Sequence, residues 1–273
     1  MLRTRVLTAL VLLALFAPAI FVLPPLVWAL LTIAAVAVAV HEWGGLIGRS
    51  HQARLWAAAA FAALALGWLA VFGVGSAPLA STLLASAAAL WWVGIAPLRL
   101  AGHKIGPGGW PVAFILLLAC WSSLLELRFQ GGLALFVAMA IVWIADIGAY
   151  FVGRALGRRK LAPSISPGKS WEGAIGGALA VAVLGVLAAA IPGLEATLPP
   201  LLVSRLGVAG AGVILAALAA LSVIGDLHES LLKRRAGVKD SGRLLPGHGG
   251  VLDRVDALIP TMPVVILLES LLR

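Results

Sequence analysis

Acidic residues are scarce in this chain and unevenly placed. Of its 11 Asp and Glu, seven fall in two places: Asp146 and Glu172 flank one segment, and Asp226, Glu229, Asp240, Asp253 and Asp256 surround another. The segments 153–172 and 228–256 also hold 11 of the 20 Lys and Arg. Asp226, Glu229 and Ser230 follow i, i+3, i+4 spacing, which puts them on one helix face. Asp253 and Asp256 are three apart and can share a face in the same way. Two helices could thus gather three or four oxygen ligands. Such hard donors suit Mg²⁺, which binds through a few carboxylates together with substrate phosphates. Lys233, Arg234, Arg235, Lys239 and Arg243 lie between the two sets of acids and could hold phosphates. Pro246-Gly247-His248-Gly249-Gly250 reads as a tight turn whose glycines let a ligand approach the backbone. Singly, Asp226 and Asp256 could be helix-end acids, His248 a turn residue and Lys233–Arg235 a charge patch that sets topology. Their conjunction favours a site, because a topogenic patch does not require acids beside it.

The earlier segment, Asp146 to Gly173, reads as a second candidate. Asp146 lies deep enough in an apolar run to be costly unless it lines a polar cavity. Gly168-Lys169-Ser170 resembles the end of a P-loop but fails the pattern, because Pro163 stands where the first glycine belongs. Ser164, Ser166, Lys169 and Ser170 still precede a helix expected to begin near Trp171, and a helix start with Ser and Lys can cradle phosphate. Ser170 reads equally well as a helix N-cap with Glu172 nearby. Gly173 and Gly177, four apart, point to helix packing. His41-Glu42-Trp43 closes an apolar run and reads as an interfacial anchor, and the ten Trp residues fit interface belts or packing.

The elements that position these residues follow from composition. The chain is 62% hydrophobic and 11% charged, with a mean hydropathy of +1.08. Soluble domains carry about 25% charged residues. The expected fold class is all-α, a polytopic integral membrane helix bundle whose spans each need about 20 apolar residues. Nine spans are expected, near 5–22, 25–41, 54–73, 77–95, 110–127, 132–152, 173–192, 207–227 and 256–272. The basic, apolar N-terminus also has the look of a signal peptide, but a retained first span is preferred because no soluble domain follows. The whole chain, 1–273, reads as one membrane domain, with N-terminal spans over about 1–110 and a catalytic half over about 111–273. With the N-terminus inside and the C-terminus outside, 17 of the 20 Lys and Arg fall on the inner side, and only Arg128, Arg205 and Arg273 fall outside. The net charge of +9 is then a cytoplasmic-face feature facing anionic lipid or a phosphate-bearing substrate, with no call for nucleic acid. Cys120 is alone and forms no intrachain disulfide.

The run from Ser230 to Asp256 resembles a known signature. It contains Lys233-Arg234, Lys239-Asp240-Ser241-Gly242 and Leu245-Pro246-Gly247-His248-Gly249-Gly250-Val251-Leu252-Asp253-Arg254-Val255-Asp256. Over these 27 residues it is similar to the CDP-diacylglycerol synthase, or phosphatidate cytidylyltransferase, family. Asp146, with Ile165 through Gly173, resembles that family's second segment. The departures are Ile147 where a Thr is expected, His228 where an aromatic is expected, and Arg243 in place of Asn or Lys. The resemblance implies transfer of CMP from CTP to phosphatidate in phospholipid biosynthesis, giving CDP-diacylglycerol and pyrophosphate. It implies Mg²⁺, with room for a second cation, on Asp226, Asp253 and Asp256, with Glu229 and Ser230 as further ligand candidates. Lys169, Lys233, Arg234, Lys239 and Arg254 would hold phosphates beside Ser166 and Ser170. His248 would bind phosphate or move a proton. It also implies a bacterial inner membrane, an active site on the cytoplasmic side, membrane lipids as partners, and a homodimer as one assembly it allows. Two other readings compete. One is a transporter or channel for an anionic lipid or nucleotide, whose charges would recur through several spans. The other is a CTP-dependent transferase or kinase acting on another lipid.

Overall fold

Apolar runs in a membrane must satisfy their backbone polar groups internally, so helices dominate. The computed structural model describes residues 14, 18–74, 78–102 and 109–273. Helix α1 (Pro25–Leu46) starts on a proline, whose missing N–H costs nothing in the first turn. Helix α2 (His51–Phe72) is capped by Ser50, whose Oγ accepts from Ala53 N at 3.3 Å. Helix α3 (Pro78–Leu90) continues through a π-helical turn, Trp91–Ile95, into α4 (Ala96–Gly102). Then come α5 (Gly109–Gln130), α6 (Gly132–Leu156) and a short antiparallel hairpin, β1 (Lys160–Ala162) with β2 (Ser166–Ser170). Helices α7 (Trp171–Ala188), α8 (Leu198–Arg235), α9 (Leu252–Val255) and α10 (Leu258–Leu272) complete the chain.

Among the described residues, eight helical segments are long and apolar enough to cross a membrane. The chain is an integral membrane protein with an all-α bundle, the hairpin being its only sheet among those residues. The expected span at 5–22, with the question of a leader, lies largely outside the described residues. Several boundaries differ from expectation, most clearly at the fourth, eighth and last spans. The fourth span runs on to Gly102, because the π turn carries the helix past Trp91 and Trp92. The eighth keeps its expected start, because Gly207, with a φ of 70° that no helix interior adopts, divides it from a preceding helix over 198–206 led by Pro199 and Pro200, but it runs on past 227 to Arg235. The last begins at Leu252, and its first turn is a separate short helix.

The core is aromatic as well as aliphatic. Trp28, Trp43, Trp92 and Trp121 are fully buried, so these indoles serve packing rather than an interface belt. Trp121 Nε1 donates to Thr32 Oγ1 at 3.2 Å and ties α5 to α1. Helices α6 and α7 pack together along glycines, as expected for Gly173 and Gly177. A Cβ on Gly173 would press on Ala149 O, and one on Gly177 on Ala145 O. The two ends of the bundle differ in character. Arg128 donates to Leu23 O just before α1, and Arg273 and Arg205 meet there with Gln130 and Ala196. These are the three cations assigned to the outer loops. At the other end of α1, Glu42 meets the segment 241–252.

Candidate active site

The site grows from the far end of α8. Counting about 20 residues per crossing from the Gly207 bend carries the helix to roughly Leu227. Its last turns therefore reach the membrane edge, where charge is tolerable. Asp226, Glu229, Ser230 and Lys233 share the face expected of them. Ser230 Oγ donates to Asp226 Oδ1 at 3.2 Å, and Lys233 Nζ donates to Glu229 Oε2 one turn away.

The hairpin brings Lys169 to this face. Ile165 is buried with Leu227 and Leu231 of α8, and Arg234 Nε donates to Ile165 O at 3.1 Å. Glu172 accepts from the backbone N of Arg158 and Arg159 and holds the hairpin's approach to α7. So anchored, Lys169 Nζ pairs with Asp226 Oδ2 at 2.7 Å. Ser170 is the N-cap of α7, its Oγ accepting from Gly173 N at 3.2 Å, and it also faces the cavity described next. Ser166 begins β2, paired with Ala162, and does not line that cavity.

A cavity of about 380 Å³ opens between α6, β2, α7 and α8. Asp146, Lys169, Ser170 and Asp226 supply its chemistry, with Tyr150 and Arg154 at its side. Arg154 Nη1 donates to Tyr150 Oη at 3.0 Å. Gly153 and Gly173, where the helices approach closely, leave room for it. Ile147, the departure one residue from Asp146, is exposed and does not line the cavity, so the missing hydroxyl leaves its wall unchanged.

The second pair of acids divides. Asp253 and Asp256 lie on one helical turn, as their spacing predicts, for Asp256 N bonds to Leu252 O and both Asp256 and Ala257 keep helical dihedrals, but their oxygens have different partners. Asp253 Oδ1 accepts from Lys233 Nζ at 2.7 Å. Its Oδ2 accepts from Ser241 N, Ser241 Oγ and Gly250 N, each at 2.8 Å. Its Oδ2 thus folds the 241–250 segment, and its Oδ1 ties that segment to α8. Asp256 Oδ1 accepts from Ala257 N at 2.8 Å, and its backbone O lies against Gly225, next to Asp226. Gly225 permits this approach, since a Cβ there would strike Asp256 O and the Pro260 ring. Lys233 is enclosed between two carboxylates, whereas Arg234 at the end of α8, Lys239 on the loop and Arg254 in α9 are exposed. His248 sits in a turn closed by Leu245 and Gly249, and its Nδ1 is buried without a hydrogen-bond partner.

Three residues gain a place that the sequence did not reveal. Glu42 and Trp43 are buried rather than interfacial. Glu42 contacts the loop some 200 residues downstream, and no local spacing could signal that. His228 lies among the rings of Trp43, Trp91 and Trp92, at centroid distances of 5.8, 5.0 and 5.4 Å. Its imidazole takes the place of the aromatic ring expected there.

A ligand set for a metal is only partly drawn. Among the described residues, no three His, Cys, Asp or Glu side chains converge as a ready cation cage. Mg²⁺ does not need one, because it commonly takes one or two carboxylates plus substrate phosphates and keeps several waters. Asp146 and Asp226 line one cavity, Asp256 packs beside Gly225 next to Asp226, and Glu229 Oε1 is buried without a partner. This donor chemistry fits a hard divalent cation.

A helical membrane bundle with an open cavity of mixed acids and cations at one end has the build of a membrane-embedded enzyme for phosphate-bearing substrates. The chain belongs to the cytidylyltransferase family, whose model matches residues 3–272. A protein of Pseudomonas aeruginosa named phosphatidate cytidylyltransferase is 38% identical over 97% of this chain and 95% of its own length. One of the same name from Haemophilus influenzae is 36% identical over 96% of each chain. Another from Bacillus subtilis is 43% identical over 59% of each.

Proposed function

We propose that the protein transfers CMP from CTP to phosphatidate, producing CDP-diacylglycerol and pyrophosphate for phospholipid synthesis. The observation that carries this reading is the Lys169–Asp226 pair, set in an open cavity beside Asp146, within a chain of the cytidylyltransferase family. A phosphate oxygen of the lipid attacks the α-phosphorus of CTP. One P–O bond forms, the α–β bridge breaks, and the electron pair leaves with pyrophosphate. The acceptor is already an acidic phosphate, so no strong general base is required.

Both reactants are anions, so cations must bring them together. Lys169 and Arg154, which face the cavity, neutralise and orient phosphate there. Lys239 on the loop, Arg234 at the end of α8 and Arg254 in α9, all exposed, supply further positive charge. Lys233 acts differently: enclosed by Glu229 and Asp253, it holds the loop in place. Mg²⁺ is the proposed cofactor, held by Asp226 and Asp256 with Asp146 nearby, and it would offset triphosphate charge and aid the leaving oxygen. Asp253 keeps the segment that leads to Asp256 folded. The site faces the cytoplasm of a bacterial inner membrane. The uneven loop charge supports this, with 17 of 20 Lys and Arg assigned to the side of the site.

The test is to incubate detergent-purified protein with labelled CTP, phosphatidate and Mg²⁺. CDP-lipid and pyrophosphate are expected in equal amounts. A folded preparation that makes neither would sink the reading, and one that prefers an isoprenoid alcohol would move it to another lipid substrate. Asp226→Asn and Asp256→Asn are expected to abolish turnover while leaving the protein folded.

A further inference from the structure

Glu42 lies in α1, in the half of the chain that contributes nothing to the cavity wall. Its side chain is nevertheless buried, with the residue 4% exposed. Its partners come from the loop between α8 and α10. Oε1 accepts from Val251 N at 3.1 Å, and Oε2 accepts from Leu252 N at 2.8 Å. Ser241 Oγ lies 3.2 Å from Oε2 and 2.8 Å from Asp253 Oδ2, so its single hydrogen bridges the two carboxylates with the shorter arm to Asp253. Gly242 and Gly250 rest directly on the Glu42 carboxylate, and a Cβ at either would overlap it. The loop is thus folded around two carboxylates, Asp253 from within and Glu42 from across the fold.

The need for it is physical. The first N–H groups of a helix have no partner within the helix, and Ser, Thr, Asp or Asn usually caps them. Helix α9 has Val251 at that position and no side-chain cap of its own. Glu42 supplies the acceptors from across the fold. The helix it holds carries Asp253 and Arg254 and leads at once into Asp256. Asp256 O packs against Gly225, the neighbour of Asp226. A shift at the start of α9 would therefore move Asp256 relative to Asp226 and Asp146.

We propose that Glu42 is a positioning residue for the transfer reaction, fixing the 241–252 segment so that the acids of α8 and of the final span stay in register. This rests on the function proposed above. Losing such a support is expected to lower kcat by about 10- to 100-fold, since a small misplacement of reacting groups is enough. Phosphatidate KM should hold, because the cavity residues on α6, α7 and the hairpin make no bond to Glu42.

The experiment compares Glu42→Ala, Glu42→Gln and Ser241→Ala in detergent, reading kcat, KM and amide hydrogen exchange. Glu42→Ala should lose kcat and lose protection at Val251 and Leu252, while α6 and α7 keep theirs. Glu42→Gln retains one carbonyl oxygen and should recover part of both. Ser241→Ala keeps the two backbone bonds and should lose less than Glu42→Ala. Wild-type kcat in Glu42→Ala would overturn the proposal. So would protection lost equally across α6 and α7 in Glu42→Gln, which would make Glu42 a general support of the fold. If the unaltered protein made no CDP-lipid, the functional reading would fall by itself. Unchanged protection at Val251 and Leu252 in Glu42→Ala would instead remove the clamp, whatever the activity.

Discussion

Lys233 is the cation whose removal should cost the most stability. It pairs with Glu229 and, at 2.7 Å, with Asp253, and the three side chains are 12%, 4% and 5% exposed. Replacing it by Met keeps the length of the stem but leaves two buried acids without their cation. Breaking a buried pair from one side typically costs about 3–5 kcal/mol. The two acids should not share this equally. Asp253 keeps three donors on Oδ2, whereas the second oxygen of Glu229 already lacks a partner. Most of the loss should therefore sit on Glu229. Neutralising that residue in the same chain, Glu229→Gln with Lys233→Met, should recover about 2 kcal/mol, within the range of coupling between contacting residues. The assay is titration with a denaturing detergent read by tryptophan fluorescence, on wild type, both single variants and the double. If Lys233→Met lies within about 1 kcal/mol of wild type, or if the double variant recovers nothing, the network is not a buried charge balance.

Three further outcomes follow from the geometry. Lys169→Met removes a pair whose side chains are 24% and 32% exposed, so solvent already screens it and stability should fall by about 1 kcal/mol or less. CDP-lipid formation in the same preparation should fall steeply, and a large stability loss with normal turnover would contradict the assignment. Gly225→Ala puts a methyl against Asp256 O and Pro260, and overpacking of this kind costs about 1–3 kcal/mol. It should be read by denaturation and by a drop in kcat. Ser170→Ala removes the cap on Gly173 N, which should cost about 1 kcal/mol and show as faster hydrogen exchange in the first turn of α7.

The sequence by itself determined the solvent of this protein and the identity of its chemistry. Apolar runs of span length require helices, because a membrane offers no other partner for the backbone. The i, i+3, i+4 spacing of Asp226, Glu229 and Ser230 put them on one face, and the structure has Ser230 bonded to Asp226 there. Periodicity is a local property, so such relations survive into the fold. What depends on contacts between distant segments could not be read this way. Asp253 and Asp256 keep the helical relation of their spacing, yet distant segments bring them different partners: Asp253 takes Lys233 and Ser241, while Asp256 O packs against Gly225 beside Asp226. Lys169 was expected in a phosphate cradle, and its place there depends on a hairpin seated on Ile165, which carries it to a carboxylate of α8. Glu42 looked like an anchor at a span's end, and only the packing of α1 beneath the 241–252 segment turns it inward. Hydropathy counts residues along one dimension, and the partner of a buried charge is chosen in three.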